Sequence, residues 1–96
     1  MEYVAFDLGA GSGRVMLGTL KEDRIQLEEI HRFPDPSVTI DGSHYWQILT
    51  IFSELQQGLQ RIAERGIQPR SISCDSWGVD YVLVKEPNPM AAPPFQ

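Results

Sequence analysis

A chain of 96 residues has room for one domain with one core, and its 42% apolar content is that of an ordinary folded protein. Thirteen acidic against eight basic residues leave a net charge of −5, which indicates neither a nucleic-acid-binding surface nor disorder; one cysteine, Cys74, excludes an internal disulfide framework and a multi-thiolate zinc site. No segment approaches about 18 consecutive apolar residues and no basic flank precedes an apolar core at the amino terminus, so the expected setting is cytoplasmic.

In chain order, the apolar run Tyr3 to Phe6 predicts a central strand buried on both faces. It runs into Asp7 and then passes Gly9, Gly11 and Gly13, a turn whose backbone can adopt positive φ and bring its N–H groups close to a polyanion. A carboxylate at the strand end beside such a turn suits a hydrated magnesium ion, which makes Asp7 the candidate metal residue. In an acidic chain, a local cradle of this kind attracts phosphate better than a basic patch does. In dinucleotide-binding and P-loop motifs the glycines open a helix. Here Val15 to Leu20 is short, apolar and β-leaning, so the glycines join two strands. That strand, turn and strand are the form of the first phosphate clamp of the actin, Hsp70 and sugar-kinase superfamily; an ordinary glycine hairpin has the same outline.

Arg24 to Phe33 reads as a third strand. Ile25 and Leu27 share one phase and Ile30 the other, which predicts a bulge near Glu28 and Glu29. Pro34-Asp35-Pro36-Ser37 ends the ladder, Thr39-Ile40-Asp41-Gly42 is a further turn, and Ser43 is the expected N-cap of a helix. Tyr45, Ile48, Leu49, Phe52, Leu55, Leu59 and Ile62 recur at helical spacing, and Gly66 stands at the C′ position. Arg61 and Arg65 complement the carboxyl end of that helix as a solvated last turn. Ser71 to Ser76 is a short strand with Cys74 as a small buried hydrophobe, interrupted at Trp77-Gly78 and resumed from Val79 to Lys85. Residues 86–96 hold four prolines and no periodicity, an extended or disordered tail beyond a domain of residues 1–85. His31 and His44 have no ligating residue at metal spacing and read as structural.

Three antiparallel strands, a crossover helix and a parallel strand make an α/β, ribonuclease H-like half-domain, the unit on which the actin, Hsp70 and sugar-kinase superfamily is built. A right-handed crossover brings the end of the fourth strand beside the end of the first, so Asp7 and Asp75 are expected at one carboxyl edge, where ligands of α/β sheets bind.

Over residues 4–84 the motifs Asp7-Leu8-Gly9-Ala10-Gly11-Ser12-Gly13-Arg14-Val15-Met16-Leu17, Glu29-Ile30-His31-Arg32-Phe33 and Asp75-Ser76-Trp77-Gly78-Val79-Asp80-Tyr81-Val82-Leu83 resemble, in order and spacing, those of the rhamnulokinases, ATP-dependent ketose kinases of the FGGY carbohydrate kinase group. The resemblance implies that Ala10, Gly11, Ser12, Gly13 and Arg14 contact ATP phosphates, with Mg²⁺ as the second cofactor, and that Gly78 lies against the sugar. Trp77 either offers its face to the sugar or anchors the strand in the core. Asp75 or Asp80 either accepts hydroxyl hydrogen bonds or caps a turn. Two positions depart from the family pattern: Gln47 replaces an acidic residue, and Gly11 a serine or bulkier one. The family's catalytic aspartate and second lobe have no counterpart in these residues, so no catalytic residue is assigned and the 96 residues alone are expected to be inactive. The expected partners are a small ketose, L-rhamnulose or a relative, and the missing carboxyl-terminal lobe. Another FGGY kinase, for L-fuculose or xylulose, and a non-catalytic truncated domain are the alternative readings.

Overall fold

The computed structural model describes residues 1–34, 36–76 and 78. Its elements are β1 (Glu2–Leu8), β2 (Ser12–Lys21), β3 (Arg24–Pro34), β4 (Ser37–Ile40), β5 (Ser43–Trp46), α1 (Ile48–Glu64) and β6 (Ile72–Asp75). Four strands form one sheet in the order β3-β2-β1-β6, and β4 and β5 pair separately. β1 and β2 run antiparallel from Glu2↔Thr19 to Leu8↔Gly13, and β2 and β3 are joined at Glu22 (φ 53) and Asp23 (φ 64). Two successive left-handed residues form the mirror-image turn whose twist matches that of the flanking strands. β6 then lies parallel to β1, from Val4↔Ile72 to Asp7↔Asp75. Among the described residues the main sheet and α1 thus form a mixed α/β layer, in which three antiparallel strands, the helix and a parallel strand follow in the predicted order, with the β4–β5 hairpin inserted before the helix.

The helix supplies the core. Val4, Val15 and Leu17 on one face of the sheet meet Ile62 of α1, with Phe6, Ile30, Leu55, Leu59 and Ile67 packed around them. Ile51, Gly58 and Ile62 are the buried residues of α1, spaced at seven and four residues on one helical face. Gly58 is where the helix comes closest to the sheet: a Cβ added there would strike the Cβ and both Cγ atoms of Val15. At the carboxyl end the Gly66 N–H donates to Ala63 O (2.9 Å) and the Ile67 N–H to Ile62 O (3.4 Å), with Gly66 at φ +74. These paired bonds and the left-handed glycine are the C′ stop expected from the sequence, and Ile67 adds the apolar contact that accompanies it. Ile62 is 1% exposed. Ile62→Ala is expected to cost about 2–4 kcal/mol of unfolding free energy, read as a lower urea midpoint at unchanged slope.

Several expectations are corrected. The segment 37–46 is a hairpin, not a helix entry: Asp41 (φ 51) and Gly42 (φ 79) turn it, Ser43 and Tyr45 lie in β5, and the N-cap of α1 is Gln47 without a side-chain cap. Asp-Gly between alternating residues favours a two-residue hairpin over a helix start. β1 is covered by α1 on one face only; Ala5, on the other, is exposed. Cys74 is exposed as well, because β6 is an edge strand among the described residues. Leu49 and Phe52 are 51% and 49% exposed, on the flank of the helix rather than in the core. Arg61 and Arg65 hold α1 to β3, Arg61 Nη1 donating to Ile30 O at 3.2 Å and Arg65 Nη1 to Glu28 Oε2 at 2.8 Å, so the last turn is tied to the sheet. Residues 79–96, on which the expected continuation strand, Asp80 and the expected extended tail fall, and Trp77 lie outside the described residues.

Candidate functional site

The register places four charged residues in a row across the sheet. Asp75 on β6 pairs with Asp7 on β1, Asp7 with Arg14 on β2, and Arg14 with Arg32 on β3. Paired residues of a ladder share a face. This face is the one turned away from α1, and the four residues line an open cleft of about 550 Å³ together with Glu29, Ser73 and apolar neighbours. The carboxylates therefore stand over β6 and β1 and the guanidinium groups over β2 and β3.

The third-strand bulge makes this row possible. Met16 pairs with Glu29, but the next residue, Val15, pairs with His31, so Ile30 is the extra residue of β3. It lies one position beyond the predicted bulge. In a regular strand, residues three apart face opposite sides. The bulge puts Glu29 and Arg32 on the same side and sends His31 and Phe33 to the helix side. There His31 Nε2 is hydrogen-bonded to Glu54 Oε2 of α1 at 2.9 Å, and Gln57 donates to the other oxygen of Glu54 at 3.2 Å. His31 is thus a strand-to-helix tie, structural as expected. His44 bonds Thr39 across the small hairpin at 3.0 Å.

Within the row the charges are paired. Arg14 Nη2 meets Asp7 Oδ2 at 2.9 Å, and the Asp7 side chain is 48% exposed. The buried Nε of Arg14 has no hydrogen-bond partner. Arg32 grips one oxygen of Glu29 with Nε (3.0 Å) and Nη2 (2.7 Å), and its Nη1 reaches Ser12 Oγ at 3.4 Å, a long bond. The bond from Arg32 holds the Glu29 carboxyl below its ordinary value, and the same bond raises the Arg32 guanidinium above its own. A carboxyl lowered on folding contributes stability above its unfolded value and loses it as pH falls through the folded one. The pair is therefore intact across the neutral range and loosens only below the ordinary carboxylate range.

The glycine turn stands beside the cleft. The Gly9 N–H donates to Ser12 O at 3.0 Å, closing the turn, and Ala10 and Gly11 are exposed at its tip. Gly9, Gly11 and Gly13 have no positive φ, contrary to the expectation from the sequence. Two of them answer to space instead: a Cβ on Gly13 would enter the ring of Phe33, and one on Gly9 would lie 3.2 Å from Ser12 O. Gly78 is exposed, with nothing within 4 Å of an added Cβ. The structure thus brings Asp7, Arg14 and Asp75 to one cleft, leaves Ala10 and Gly11 at the tip, and places Gly13 among the buried residues. Glu29 and Arg32 were not singled out as site residues, yet they complete the row. The signal for them is the Glu22-Asp23 turn, which fixes the β2–β3 pairing, counted through the phase break at Ile30.

Among the described residues no three His, Cys, Asp or Glu side chains converge as a metal cage. The row fits a metal-bound polyphosphate better than a metal alone. Asp7 offers one half-exposed carboxylate, enough for a hydrated ion, and the orphaned Arg14 Nε is a buried donor facing no acceptor.

No family model matches the chain. It is similar to curated rhamnulokinases: 49% identical over 83 residues to that of Pectobacterium atrosepticum, 40% over 93 residues to that of Bacteroides thetaiotaomicron, and 41% over 86 residues to that of Bacillus subtilis. These matches cover 84%, 97% and 90% of this chain. The chain spans 17–19% of the length of these relatives. Identity at this level over most of its residues makes the chain a relative of the rhamnulokinases, as its motifs imply.

Proposed function

We propose that this chain is the amino-terminal part of a sugar kinase that transfers the ATP γ-phosphoryl group to the primary hydroxyl of L-rhamnulose. The observation that carries the reading is the charged row at the carboxyl edge of two parallel strands, in a chain 40–49% identical to rhamnulokinases. In this reading residues 1–85 form a ribonuclease H-like half-domain in the cytoplasm. Ala10 to Arg14 steady the ATP phosphates, Asp7 holds the water shell of Mg²⁺, and the edge from Asp75 through Trp77 to Gly78 borders the sugar. Phosphoryl transfer depends mainly on positioning and charge neutralisation, and the row supplies one carboxylate end and one guanidinium end for those tasks. The metal, when bound, neutralises phosphate charge. This chain's residues would orient the nucleotide, with Asp7 on β1 holding the metal's water and Arg14 on β2 the phosphates.

The open sheet face supports the same reading. Ile25 and Leu27 are 69% and 70% exposed, and with Tyr3, Met16 and Leu20 they floor an apolar depression next to the cleft. Exposed apolar surface of this kind marks an interface. In a kinase of the relatives' length it is covered by the remainder of the protein, which also brings the catalytic base and the second lobe.

A chimera in which residues 1–96 replace the corresponding segment of the Bacillus subtilis rhamnulokinase tests the assignment. It is expected to phosphorylate L-rhamnulose in a coupled assay in preference to L-fuculose, whereas the 96 residues alone give no turnover. A folded chimera that prefers L-fuculose would move the chain to another sugar kinase of the group. One that binds MgATP but phosphorylates neither sugar would remove the kinase reading, and turnover by the 96 residues alone would place a catalytic base among them.

A further inference from the structure

We propose that Arg32, locked by Glu29, is a positioning residue that holds the glycine turn in its phosphate-receiving shape; this rests on the nucleotide reading of the turn. Arg32 is the outermost member of the row, and its guanidinium divides its bonds. Two N–H groups, at 3.0 and 2.7 Å, go to a single Glu29 oxygen, and the third nitrogen reaches Ser12 Oγ at 3.4 Å. A guanidinium is a rigid planar fork, so fixing one side fixes the other. Ser12 is the residue whose carbonyl oxygen accepts the Gly9 N–H at 3.0 Å and closes the turn. Glu29, Arg32, Ser12 and Gly9 therefore form one hydrogen-bonded path from β3 to the turn.

This path exists because of the bulge. With a regular third strand Glu29 and Arg32 would face opposite sides and the fork would have no anchor. Arg32 also keeps a second positive charge opposite Arg14, in register across β2 and β3, and Glu29, ion-paired with Arg32, offsets that charge. The cationic half of the row is thereby held in place before any phosphate arrives, and preorganised donors bind without reorganisation.

The test uses the 96-residue chain and its Arg32→Gln, Arg32→Lys and Glu29→Gln variants, with amide hydrogen exchange at Gly9 and calorimetric binding of MgADP against adenosine. Arg32→Gln is expected to speed Gly9 exchange about fivefold and to weaken MgADP about five- to tenfold, the loss of one charge-assisted bond, with adenosine unaffected. Glu29→Gln gives a smaller change in the same direction. Lysine restores the charge but not the fork, so Arg32→Lys follows Arg32→Gln in exchange. Exchange at Ile62, in the core, stays at the wild-type rate. If Arg32→Gln also loses Ile62 protection, Glu29→Gln decides by the same two readouts. Gly9 exchange that does not change, or a looser turn with unaltered MgADP affinity, overturns the proposal. A wild-type chain that does not bind MgADP at all defeats the nucleotide reading, and the positioning role with it; the turn exchange then reports only whether Arg32 closes the turn.

Discussion

Gly58→Val is expected to remove about 3 kcal/mol of unfolding free energy, a large share of the roughly 5–14 kcal/mol that a domain of this size holds. The cause is contact with one residue. Val15 is 0% exposed and sits directly under Gly58, so an added side chain meets its Cβ and both methyl groups. A β-branched side chain is stiff at χ1, and Val15 is held between Phe6 and His31 by the ladders on either side. Neither partner can yield without lifting α1 off the sheet. Gly58→Ala is milder, because alanine recovers up to about 1 kcal/mol of helix propensity against the same overlap. The check is a urea titration followed by far-ultraviolet circular dichroism, with Val15→Ala as the second arm. If overlap is the cause, Gly58→Val combined with Val15→Ala loses less than the sum of the two single changes. A Gly58→Val chain with the wild-type midpoint would mean that the helix does not approach the sheet as closely as the structure has it.

Gly58 also shows where sequence reading stops. A glycine inside a helical pattern costs stability and is a reason for doubt about the helix unless something needs the space. Only the fold identifies Val15 as that something. The elements with strong periodicity were readable: the three strands before the helix, the Gly66 stop, and the parallel return of Ser71 to Ser76, observed as Ile72–Asp75. Asp7 and Asp75 were placed together by topology alone, and the register Asp7↔Asp75 bears this out. The β4–β5 hairpin was missed because Tyr45 fits the helical spacing as well as it fits a strand, and a four-residue strand carries too little alternation to compete. Of the site, Asp7 and Arg14 were legible in the turn motif. Glu29 was not, because its face depends on which single residue bulges out, and Arg32 reaches the cleft only because one residue does. A shift of one residue in a strand turns every later side chain to the opposite face. Read without the bulge, Arg32 belongs under the helix and His31 in the cleft; the structure reverses both.

Asp7→Ala is expected to abolish the magnesium dependence of nucleotide binding while leaving the fold intact. The Asp7 side chain is about half exposed and its ion pair with Arg14 lies at the surface, so its removal costs at most about 1 kcal/mol of stability. The consequence for ligands is larger and has a direction. On the proposed reading Arg14, paired with Asp7 at 2.9 Å, would be drawn to an incoming phosphate, and Asp7 would be freed for the water shell of Mg²⁺ as Arg14 turned away. Metal and nucleotide should therefore bind together, each releasing the residue the other needs. Without Asp7, Arg14 has lost its competitor. ATP alone should then bind as well as it does to the wild type or better, whereas the gain from adding Mg²⁺, about tenfold for one charge-assisted contact, disappears. Arg14→Gln has the opposite signature: affinity for ATP falls with or without metal, and the buried Nε that now lacks an acceptor is lost with it. Calorimetric titrations of ATP with and without Mg²⁺ into the two variants separate the metal end of the row from its phosphate end. Should Asp7→Ala keep the full magnesium effect, the ion would be held by other groups, and Asp7 would serve only to park Arg14.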